Sequence, residues 1–90
     1  MNRPRLAAHA RLRWDAREGR YLLLSPERGL LLNATAAEIL KLCTGEHTLA
    51  QIAERLAAGF PERTPADLAG EVAAFVDRIA ARGLLEEAAA

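Results

Sequence analysis

Few side chains in this 90-residue chain are of the types that do chemistry, and their spacing gathers none of them into a reactive set. Cys43 is the single cysteine, so no intrachain disulfide is available. It falls on the apolar side of a helical pattern, with no histidine or acid at metal-ligand spacing. That placement suits a small buried hydrophobe rather than a nucleophile, which needs an electropositive and partly open site. His9 and His47 are far apart and neither belongs to a paired motif, so they do not compose a metal site. Asp67, Glu71 and Asp77 share a helical segment and read as a solvated face rather than a general acid–base pair. No glycine-rich phosphate loop is present. Arg78 and Arg82, one turn apart, could meet acidic groups of a bound peptide, although exposed helix charges usually contribute little. The expectation is a binding module with no catalysis, no cofactor and no metal.

Composition narrows the partners. Hydrophobic residues make up 51% and aromatics 4%, and 12 basic residues balance 12 acidic ones. That argues against disorder, and zero net charge removes the electrostatic footprint of a nucleic-acid binder. No apolar run approaches the roughly 18 residues of a membrane span. The basic start, Met1 to His9, lacks the apolar stretch of a secretory signal. The expectation is a cytoplasmic protein with a flexible tail over 1–9 and one domain over 10–90.

The elements that must position any site follow from periodicity. Ala10, Leu12 and Trp14 alternate with Arg11, Arg13 and Asp15, which predicts a half-buried strand with Trp14 as a core anchor or else as part of a binding groove. Ala16 to Gly19 makes a turn. Arg20 to Ser25 and Leu30 to Leu32 form a hairpin around Ser25-Pro26-Glu27-Arg28-Gly29, where Gly29 is expected in the left-handed region. Asn33 then caps a helix over Ala34 to Cys43. Thr48 with Gln51 forms a capping box for a second helix, and Thr64-Pro65-Ala66-Asp67 starts a third. Gly83 follows the third helix, and Leu84-Leu85-Glu86 is expected as a short strand returning to the sheet.

The hairpin carries the functional clue. Helices on one side of a three-stranded sheet leave the other side wet, and a strand in that position should alternate. Leu22 to Leu24 and Leu30 to Leu32 do not alternate, so leucine faces both ways in neighbouring strands. Burying one leucine stabilises by about 1.5–3 kcal/mol, which favours association. The third strand can also be an edge whose unpaired N–H and C=O groups accept another chain. Overpacked core, partner binding and self-association, including strand exchange about Pro26 to Gly29, all remain open on these residues.

The run Tyr21-Leu22-Leu23-Leu24-Ser25-Pro26-Glu27, then Leu31-Leu32-Asn33-Ala34-Thr35-Ala36-Ala37-Glu38-Ile39-Leu40-Lys41-Leu42-Cys43, then Thr48-Leu49-Ala50-Gln51-Ile52, resembles the coenzyme PQQ synthesis protein D (PqqD) family. Phe75-Val76 and Arg82-Gly83-Leu84-Leu85 fit the same pattern, so the likeness covers roughly residues 10–86. Thr44-Gly45 departs from it, because an acidic residue is expected before the glycine. The resemblance implies an α+β fold of three antiparallel strands followed by three helices, winged-helix-like, as in RiPP precursor recognition elements. It implies a non-catalytic peptide chaperone of pyrroloquinoline quinone biosynthesis. Such proteins bind the ribosomal precursor peptide PqqA and present it to the radical SAM enzyme PqqE, which cross-links a glutamate and a tyrosine of that peptide. It also implies that the peptide adds as a strand beside the third strand, in a groove closed by the third helix. In this chain those positions are Leu30, Leu31, Leu32 and Asn33, facing Leu68, Glu71, Val72, Phe75, Arg78, Ile79 and Arg82. The residues alone lead to the same edge strand; the partner's identity comes only from the resemblance.

Two rivals follow from the pattern. A winged-helix nucleic-acid binder is opposed by the third helix, whose residues 67–82 carry Asp67, Glu71 and Asp77 against Arg78 and Arg82. A purely structural homodimer through the hairpin is the other.

Overall fold

The computed structural model describes residues 1–88. Strands β1 (Pro4–Leu6), β2 (Arg11–Asp15), β3 (Arg20–Leu24) and β4 (Gly29–Leu31) precede helices α1 (Ala34–Lys41), α2 (Leu49–Ala58) and α3 (Pro65–Ala81), and β5 (Leu85–Glu87) closes the chain. The antiparallel sheet β2-β3-β4 followed by three helices is the expected α+β architecture.

Each helix starts where its residues dictate. The Asn33 side chain accepts from the Ala36 N–H at 2.8 Å, satisfying one donor left free at the start of α1. Thr48 with Gln51, and Thr64 with Asp67, form reciprocal capping boxes, and Pro65 opens α3 with its φ already set. Leu68, Val72 and Val76 of α3 reach 0% exposure, as does Ile52 of α2; the two helices pack against each other.

The hairpin register decides which leucines point where. Leu23 lies opposite both Leu12 and Leu30, whereas Leu22 lies opposite Leu31 and Arg13. Directly opposed residues share a face. Leu12, Leu23 and Leu30 therefore face α1, and Leu22, Leu24 and Leu31 face away, with Leu31 45% exposed. Leu23 is thus core with Leu12 and Leu30 packed partly buried beside it, while Leu22, Leu24 and Leu31 lie on the open side.

Several expectations are corrected. The tail is not loose at residues 4–6, because β1 pairs antiparallel with β5 and Pro4 is buried. The Pro4 carbonyl accepts from the Gly45 N–H at 2.9 Å. β5 accordingly does not return to the main sheet but forms a separate two-stranded ribbon with β1. Trp14 is 52% exposed rather than a core anchor. It stands on the α1 side of the sheet, edge-on to Tyr21 with centroids 5.1 Å apart, beside an open depression that it shares with Ala34, Ala37 and Glu38 of α1. Gly29 is not left-handed. It pairs with Leu24 within β4, where a Cβ would crowd the Leu24 Cδ2 at 3.0 Å.

Candidate peptide-binding groove

β4 is an edge strand of the β2-β3-β4 sheet, so among the described residues no strand pairs with the outer side of its backbone. Leu32 donates to the Tyr21 carbonyl at 2.9 Å, and Ser25 donates to the Arg28 carbonyl at 2.9 Å. Antiparallel ladders alternate bonded and non-bonded pairs. With the observed register, Leu30 faces β3, while the N–H and C=O of Gly29 and Leu31 point to the open edge.

Beside that edge lies a groove of about 500 Å³, within the usual range for ligand sites. Leu30, Leu31, Leu32 and Asn33 form one wall, and Glu71, Phe75, Arg78 and Ile79 of α3, with Arg82 at its C-cap, form the other. Thr35, Ala36 and Ile39 of α1 complete the lining. Ala36, Ile39, Phe75 and Ile79 are buried and make an apolar floor, and the charged side chains occupy the rim. Polar groups at the edge of an apolar trough fix orientation while burial supplies attraction.

The rim charges are disposed unevenly. Glu71 is paired with Arg63 at 3.0 Å. The Arg78 guanidinium lies back over the Phe75 ring, 5.7 Å from its centroid, which holds the cation above the groove. Among the described residues neither Arg78 nor Arg82 forms an ion pair.

Nine of the eleven expected positions line this groove. Leu68 and Val72 do not: both are fully buried and cannot touch a guest. Residues i and i+4 on a helix share a face, so the Leu68–Val72–Val76 row turns inward while the Glu71–Phe75–Arg82 row borders the groove. The α1 contribution of Thr35, Ala36 and Ile39 was not anticipated, because it depends on how α1 and α3 meet in space. Cys43 is buried; its Sγ lies 3.3 Å from the Ile39 carbonyl, and burial pushes its thiol up to about 12. That thiol stays protonated near neutrality and is a poor nucleophile.

Residues 20–85 match the family model for coenzyme PQQ synthesis protein D (PqqD). The chain belongs to the PqqD family. A PqqA binding protein of Rhodopseudomonas palustris (strain HaA2) is 38% identical over 97% of this chain and 84% of its own length. The bifunctional coenzyme PQQ synthesis protein C/D of Methylorubrum extorquens is 34% identical over 92% of this chain, which spans 22% of that longer protein. Among solved structures, the PqqD truncation of Methylobacterium extorquens PqqCD, described as a functional and stand-alone RiPP recognition element, superposes with a TM-score of 0.80. The two share 33% identity, and the match covers 93% of this chain and 88% of that one. The fold of this PqqD-family chain is therefore that of a RiPP recognition element. Among its described residues, no helix is long and apolar enough to cross a membrane.

Proposed function

We propose that this chain is a non-catalytic recognition module that binds the PqqA precursor peptide along the open edge of β4 and presents it to the radical SAM enzyme PqqE. The observation that carries the reading is the juxtaposition of unpaired main-chain groups at Gly29 and Leu31 with an apolar trough walled by α3. A peptide entering as a fourth strand gains main-chain hydrogen bonds from the edge, and its alternate side chains fall into the trough. Relatives bearing the name PqqA binding protein support the choice of guest. The natural fusion of a PqqD region to a PqqC region supports action beside a biosynthetic enzyme. The cytoplasm is the compartment where a ribosomal peptide would meet it.

Titration of the full chain with PqqA, read by calorimetry and by amide NMR shifts, tests the reading. Binding at or below tens of micromolar with shifts centred on residues 29–33 and the groove side of α3 is expected. No binding at that concentration, or shifts remote from the groove, would overturn it.

A further inference from the structure

The groove has an electrical direction. Arg82 borders a second depression together with Ser25, Glu27, Arg28 and Leu84, so the end of α3 lies by the hairpin turn. Glu71 stands eleven residues earlier, about 16 Å along the helix at 1.5 Å per residue, toward the Asn33 end of the groove. At that end the Glu71 carboxylate is already offset by Arg63. At the turn end stand Arg28, Arg78 and Arg82 against a single acid, Glu27, and among the described residues none of the three arginines is ion-paired.

The spacing also matters. Arg78 and Arg82 are one turn apart, about 6 Å along the axis. Side chains two residues apart on an extended strand share a face and are separated by about 6.6–6.8 Å. A strand lying beside α3 can therefore present two successive same-face residues to the two guanidinium groups. Farther along, about 4.5 Å before Arg78 on the axis, Phe75 is buried on the floor and offers apolar contact to the next same-face residue, while Ile79 lies on the floor between the two arginines.

We propose that the groove selects an extended peptide that carries carboxylates, two residues apart, at the end lying by the Pro26–Gly29 turn, and that Arg78 and Arg82 read them. The guest is thus apolar over Phe75 and acidic over the arginine pair. A peptide laid the opposite way carries those acids away from the arginines to the end where Glu71 is already paired with Arg63, so the arginine pair sets its direction along β4. This rests on the groove being the peptide site, and it adds which feature of the peptide is recognised.

The test is a double-mutant cycle on the full chain. The probes are the PqqA peptide and a copy with every Asp and Glu replaced by Asn and Gln, each titrated into the native chain and into R78Q/R82Q. Both arginines are exposed, so the variant should fold, and its amide spectrum checks this. Neutralising the arginines should weaken native PqqA by about three- to tenfold, as two rim pairs would. It should leave the neutral copy unchanged, and the loss should shrink at high salt. Equal effects on both peptides, or no effect on either, with β4 shifts intact, would overturn the charge reading and leave the groove standing. Absence of β4 shifts with either peptide would overturn both.

Discussion

Replacing Gly45 with alanine probes the junction that ties both chain ends to the helical core. Gly45 has φ of +87°, and its N–H donates to the Pro4 carbonyl. A Cβ there would stand 2.9 Å from the Ala88 Cβ and 3.6 Å from the Arg5 Cβ. Two costs add. Left-handed backbone costs a residue with a Cβ about 1–2 kcal/mol. Carbon atoms prefer about 3.5–4.0 Å, so the ribbon must also shift by more than half an ångström or release the Pro4 bond, worth about 0.5–1.5 kcal/mol. Gly19 isolates the first cost, because its φ is +63° and nothing lies within 4 Å of the added atom. Gly19→Ala should therefore lose about 1–2 kcal/mol, and Gly45→Ala at least about 0.5 kcal/mol more. In a domain of this size that excess lowers Tm by a further 2–4 °C or more, at about 4–8 °C per kcal/mol. Urea unfolding followed by circular dichroism measures both. In an Ala88→Gly background, which removes the atom the new Cβ meets, the Gly45→Ala loss should fall to the Gly19→Ala level. Equal losses in the native background, or no relief from Ala88→Gly, would refute the packed ribbon.

The remaining predictions concern single groups. Glu87 is held below the ordinary value of 4.5, first by the Asn2 N–H and then by that of Arg3 at 2.6 Å. A depressed carboxyl contributes stability above its unfolded pKa and loses it as pH falls through the folded one. The Asn2 and Arg3 amide shifts should thus titrate together with a midpoint under 4.5, and Glu87→Gln should abolish that titration. Cys43, with its thiol raised to about 12, should be about one part in ten thousand thiolate at pH 8 and resist a thiol reagent until denaturant is added. Leu31→Gln changes a 45% exposed side chain and should move folding stability by no more than about 0.5 kcal/mol. If a hairpin dimer forms, light scattering should show Leu31→Gln weakening it, since Leu22 and Leu31 are paired on the open face.

What the residues revealed and what they hid divide along sequence distance. The caps at Asn33, Thr48 and Thr64 are local hydrogen bonds between residues three apart, so their chemistry is written in adjacent letters. The hairpin is local too, and its edge was legible from Pro26 to Asn33. The β1–β5 ribbon joins residues 79 to 83 positions apart, and Asn2-Arg3-Pro4-Arg5 has the composition of a tail until Glu86 and Glu87 are beside it. Alternation placed Trp14 on its correct side, but whether that side is covered depends on how α1 lies against the sheet. Within α3 the groove row and the core row differ by one position. Nothing in the local pattern separates Phe75 from Val72, and only contact with α1 and α2 does.

Hydrogen exchange at Gly29 and Leu31 addresses the central claim most directly. Their N–H groups face the open edge, so in the free chain they should exchange faster than that of Leu30, which faces β3. Saturating PqqA should slow Leu31 and Gly29 by at least about tenfold, because a docked strand supplies their missing carbonyls. Binding that leaves both amides exchanging at the free rate would contradict strand addition at β4 and with it the proposed mode of recognition.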